Sequence, residues 1–69
     1  MLLVELIKHY AGRHSTDKAI MSYLNTEDVI AKFDPDIHVE NITDEWLLSF
    51  GNFAGEKHVR NVRKAIKSL

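Results

Sequence analysis

Glu56-Lys-His-Val-Arg-Asn-Val-Arg-Lys-Ala-Ile-Lys-Ser-Leu69 is the stretch around which the rest of the chain is organised. Val59, Val62, Ile66 and Leu69 recur at steps of three and four residues, the period of one helix face. At about 100° per residue, Lys57, Arg60, Arg63, Lys64 and Lys67 fall within an arc of roughly 120° on the other side. A helix with this pattern docks by its apolar face and shows a basic stripe. Five cations against Glu56 give the segment a net charge of +4, whereas residues 1–55 carry four cations and nine acids, a net −5. The chain's total of −1 hides that division.

Two readings of the stripe compete. A Lys/Arg-rich face is commonly a solvated surface, and cations also suit a helix C-terminus through the macrodipole. Alternatively the stripe binds phosphate, which needs clustered cations held in register by a rigid element. Arg60 and Arg63 matter most in that reading, because guanidinium forks grip phosphate oxygens bidentately.

Working back from this helix, 69 residues make one small domain at most. A core of this size is marginal, so helix packing must supply most of the stability. The apolar fraction of 45 % is ordinary for a globular chain and too high for a disordered one. The absence of cysteine excludes disulfides and thiolate metal sites and favours a cytoplasmic location. No apolar run approaches membrane-spanning length, so no membrane partner is expected. Met1-Leu-Leu-Val-Glu-Leu-Ile-Lys8 lacks a basic leader and meets Glu5 early, unlike a signal peptide. Both ends of the chain fall inside helical patterns, the expected mark of a fragment of a longer protein.

Residues 2–11 read as a first helix, with Leu3, Leu6, Ile7 and Tyr10 on one face and Gly12 as its stop. Ser15 or Thr16 caps a second helix from about Asp17 to Phe33. Its stripe is Ala19, Ile20, Tyr23, Ile30 and Phe33, with Leu24 at the edge. Asn25-Thr26-Glu27-Asp28 is a weak spot, but Tyr23, Ile30 and Phe33 stay on one face across it, which favours a continuous helix. Pro35 ends this helix, and residues 34–42 form a loop in which Ile37 and Val39 pack inward. Thr43 caps a third helix, with Asp44 and Glu45 in its first turn and Ile42 stapled onto Leu47. That helix is expected from Asp44 to about Phe50, burying Trp46, Leu47 and Phe50, before a Gly51–Gly55 turn that carries Phe53. The expected fold is all-α: four helices in a compact bundle, neighbours antiparallel.

Other chemistries fit poorly. His9, His14, His38 and His58 include no His-x3-His pair on one helix, and no cysteine supports them as zinc ligands. Asp34, Asp36 and Glu45 match three positions of a calcium loop, but Val39 stands where its sharp turn needs glycine. An acidic loop that ends one helix and caps the next accounts for the same residues. Ser15 beside His14 lacks the Gly-x-Ser-x-Gly setting of a nucleophile, and no phosphate-binding glycine loop occurs. Tyr10, Tyr23 and Trp46 read as core. No cofactor is expected, and a small bundle lacks the deep cleft most enzymes need.

The order of motifs resembles the N-terminal core-binding domain of phage and transposon integrases of the tyrosine recombinase family. Ser15-Thr16 opens a helix with Tyr23, Ile30 and Phe33 at Tyr-x6-Φ-x2-Φ spacing, where Φ is apolar. Val39-Glu-Asn-Ile-Thr-Asp-Glu-Trp-Leu47 is similar to the family's I-T-x-x-Φ-Φ approach to its third helix. His58-Val-Arg-Asn-Val-Arg-Lys-Ala-Ile66 is similar to its closing helix, although His58 replaces a common threonine and Trp46–Gly55 is shorter than usual. The resemblance spans residues 3–69 and implies a SAM-like four-helix bundle that forms half of a clamp on duplex DNA. Its partners would be double-stranded DNA and the catalytic domain of the same parent chain, and the isolated domain would be a monomer. The implied DNA contacts are Lys57, His58, Arg60, Arg63, Lys64 and Lys67, with Thr16 and Lys18 from the second helix. The family's catalytic residues lie in the next domain, so this chain alone is not expected to cut DNA.

The competing expectation is a protein-interaction module. Its acidic body and basic helix would pair with a partner, or head to tail with a second copy. The acidic excess in residues 1–55 favours this, since DNA-binding domains are ordinarily more basic overall.

Overall fold

Thr16 and Thr43 each begin a helix by the same chemistry. Thr16 Oγ1 accepts the Ala19 amide at 3.3 Å, and Thr43 Oγ1 accepts that of Trp46 at 3.1 Å. Each fills one of the donors that a helix start leaves open. A computed structural model describes all of residues 1–69. It contains α1 (Leu3–Ala11), α2 (Asp17–Phe33), α3 (Asp44–Ala54) and α4 (Glu56–Lys67), with a 3-10 turn at Val39–Asn41. The protein is an all-α four-helix bundle. Its one β-bridge, Leu2 with His38, lies outside any strand.

Each helix contributes its apolar face to one core. Leu3, Leu6, Ile7 and Ala11 come from α1, Tyr23 and Ile30 from α2, Leu47 and Phe50 from α3, and Val59, Val62 and Ala65 from α4. Full burial of a large aliphatic or aromatic side chain stabilises by about 1.5–3 kcal/mol. Phe33 packs against this core beside Trp46, whose ring stacks on Phe50 at 5.0 Å between centroids. The indole N–H of Trp46 donates to Asp34 Oδ2 at 3.0 Å, so the acid after α2 holds the first turn of α3. Tyr10 is half-buried and meets Tyr23 edge-on at 5.1 Å.

The loop between α2 and α3 is tied to the start of the chain. Leu3 N–H donates to Ile37 O and Val39 N–H to Met1 O, both at 2.9 Å. These bonds satisfy backbone groups that would otherwise be stranded beside the core. They also fix the 3-10 turn, with Val39 and Ile42 half-buried.

Helix α2 is continuous through Asn25-Thr26, as its single apolar face predicts. Three expectations need correction. Helix α3 does not stop near Phe50 but runs through Gly51 and Asn52 to Ala54. A β-carbon at Gly51 would sit 3.2 Å from Val59 Cγ2, so this glycine serves a close helix approach rather than a turn. The turn is instead the single residue Gly55, at φ 101° and ψ 160°, a region essentially reserved for glycine. Finally, Leu69 lies past the end of α4 and is exposed, so it is not part of the docking face.

Candidate functional site

The docking face of α4 is rotated from the one its apolar residues alone define. Val59, Asn61, Val62 and Ala65 are buried, while Ile66 is only half-buried. On a helical projection at 100° per residue this turns the face by about 50° towards Asn61 and Ala65. The cause is a polar cluster on the facing helix. Asn61 Nδ2 donates to Thr26 Oγ1 at 2.9 Å and to Ser22 Oγ at 3.1 Å. Thr26 Oγ1 also lies 2.7 Å from His58 Nδ1 and 3.2 Å from Ser22 O, to which its hydroxyl is positioned to donate. No fully buried side-chain nitrogen or oxygen lacks a partner, so the cluster strands no polar atom in the core. Directional bonds of this kind fix a helix's rotation in a way that aliphatic contacts do not.

That rotation decides where the cations point. Lys57, Arg60, Arg63, Lys64 and Lys67 are all exposed. The cation–carboxylate contacts in the protein join Glu40 to the N-terminal amine at 3.0 Å and to His38 Nδ1 at 3.6 Å, so no cation of α4 has a carboxylate within 4 Å. From Lys57 to Lys67 the row extends about 15 Å at 1.5 Å per residue.

His58 behaves differently from the other contacts that the resemblance implies. It is half-buried against Thr26, and its pKa is lowered, first by burial and second by the neighbouring Lys57. Its place is in the joint between α2 and α4, not in the outward row. Thr16 and Lys18 are exposed at the start of α2, where Thr16 is already engaged as a cap. With Thr26 beside His58 and Ser22 beside Asn61, α2 runs antiparallel to α4. This register carries the start of α2 towards the end of α4 that holds Lys64 and Lys67.

The calcium-loop outline does not assemble, because Asp34 is engaged by Trp46 and residues 39–41 form the 3-10 turn. No group of three or more His, Asp or Glu side chains is placed to hold a metal ion.

Beside the cation row runs an open groove of about 540 Å³. Val39, Ile42, Leu47 and Ile66 line its floor, and Arg60, Arg63, Lys64 and Lys67 stand along one side. Sequence reading found the row but not the cluster or the groove. A signal for the cluster existed: Thr26 is three residues after Tyr23 and four before Ile30, which puts a hydroxyl in the middle of an apolar stripe.

Comparison of the chain with protein-family models, curated proteins and solved structures gave no match.

Proposed function

We propose that this chain is the core-binding part of an integrase of the tyrosine recombinase kind and holds duplex DNA by its backbone phosphates through α4. The observation that carries the reading is the row of five exposed cations with no carboxylate partner. One DNA strand places a phosphate about every 3.4 Å of helix axis, so a row of about 15 Å spans roughly four of them. Arg60 and Arg63 serve as bidentate anchors, and Lys57, Lys64 and Lys67 as point charges. The order of motifs from Ser15 to Ile66 supports the family assignment. The net −5 of residues 1–55 repels phosphate and directs the duplex to α4.

Amide chemical shifts followed while a duplex is added at low salt test this. Shifts should concentrate at residues 57, 60, 63, 64 and 67 and the start of α2. Absence of binding, or shifts scattered evenly over all four helices, would count against it. The acidic excess of residues 1–55 favours a second reading, in which α4 pairs with the acidic body of another copy. Size-exclusion at high and low protein concentration separates the two, since only that pairing shifts the elution with concentration.

A further inference from the structure

We propose that the groove beside α4 is a docking site for an acidic amphipathic peptide segment, a ligand distinct from DNA. Its floor and its wall ask for different chemistry. Val39, Ile42, Leu47 and Ile66 offer apolar surface, which a sugar-phosphate chain leaves wet. Arg60, Arg63, Lys64 and Lys67 stand over that surface and select negative charge. An occupant must therefore carry apolar groups on one side and acids on another.

Ile66 is in the floor because the Asn61–Thr26–His58 cluster turns α4 away from its simplest apolar docking. An aliphatic residue that the helix period would bury is left half-open at the groove. The cations run from Arg60 to Lys67, about 10 Å along the axis or two helical turns. A single anionic head group reaches only one end of that span. Carboxylates on successive turns of a bound helix, about 5.4 Å apart, reach all of it. Apolar side chains at three- and four-residue steps then face the floor, in the manner of helix-in-groove recognition. The volume lies within the range of ordinary ligand sites. Asp44 lines the α3 side and keeps the ligand's acids on the α4 side.

The peptide site does not depend on the DNA reading. Where both hold, DNA and peptide share Arg60, Arg63, Lys64 and Lys67, so each displaces the other. A fluorescein-labelled peptide of about 14 residues (~2.1 nm as a helix), with leucine at three- and four-residue steps and glutamate between, serves as the probe. Fluorescence anisotropy on the whole chain should show saturable, salt-sensitive binding. Ile66→Ser should weaken it about tenfold, while duplex affinity changes less than about twofold. Arg60→Ala should weaken both ligands. Retained heat unfolding and amide spectra establish that Ile66→Ser is folded, and Ile42→Ser is the replacement variant if it is not.

Equal binding of a shuffled peptide of the same composition, or of a glutamate-only peptide, would overturn the proposal. So would undiminished binding by the folded floor variants, or equally tight binding of dodecanoate. Peptide binding without duplex binding would overturn the DNA reading alone, and the reverse result the peptide site alone.

Discussion

Thr26→Val removes the hydroxyl at the centre of the α2–α4 joint while keeping its shape, so the loss it causes is polar and not a cavity. The hydroxyl accepts from Asn61 Nδ2 at 2.9 Å, lies 2.7 Å from His58 Nδ1 and sits 3.2 Å from Ser22 O. Asn61 retains Ser22 Oγ at 3.1 Å, but His58 Nδ1 loses the partner it has within the joint. Net contributions of about 0.5–1.5 kcal/mol per bond, and a desolvation cost for a stranded group, bring the expected loss to about 2–3 kcal/mol. A chain of 69 residues unfolds with an entropy near 2.1 cal/mol/K per residue, so the melting temperature should fall by about 15 °C. Urea unfolding followed by the fluorescence of Trp46, the single tryptophan, is the assay, since its ring is half-buried on Phe50. Asn61→Ala shares the 2.9 Å bond, so the double variant should lose about 1 kcal/mol less than the two single losses combined. A neutral or stabilising Thr26→Val, or strict additivity with Asn61→Ala, would refute the idea that this cluster locks α4.

Other outcomes follow from the same geometry. Because burial and Lys57 lower the His58 pKa, the folded state binds its proton less readily than the unfolded chain does. The stability this contributes is fully present above the ordinary histidine value of about 6.5 and is lost as pH falls through the lower folded value. Urea midpoints between pH 7 and pH 5 should therefore fall for the parent chain and less steeply for His58→Gln. Gly55→Ala meets no neighbouring atom but forces alanine to φ 101°, so it should cost about 1–3 kcal/mol through backbone strain alone, measured by heat unfolding. Gly51→Ala gains up to about 1 kcal/mol of helix propensity but presses its β-carbon on the buried, stiff Val59. It should destabilise alone and lose less when Val59→Ala makes room, a difference that a double-variant cycle reads.

The helices were legible because local chemistry and apolar period agree. Thr16 and Thr43 cap as their positions promise, and Leu3, Leu6, Ile7, Tyr23, Ile30, Leu47 and Phe50 are buried where the 3.6-residue period puts them. Gly51-Asn52 misled because glycine signals a turn in a sequence and also permits close helix packing, and only the presence of Val59 tells which. Leu69 extended the period of α4 on paper, but the helix ends at Lys67 and nothing holds the last residue down. The outward placement of Lys57, Arg60, Arg63, Lys64 and Lys67 was readable from one helix. The inward turn of His58 and Asn61 was not, because it depends on Ser22 and Thr26 more than thirty residues earlier. The groove needed two elements, the 39–47 segment and α4, brought together by the fold.

The measurement that bears most directly on α4 is the salt dependence of duplex binding by the parent chain and by Arg60→Ala with Arg63→Ala. Neutralising about four phosphates predicts a slope of log K against log salt near −3.6, and loss of both arginines should flatten it by about two while the bundle stays folded. A parent slope near zero, or an unchanged slope in the folded double variant, would contradict a phosphate grip by this helix.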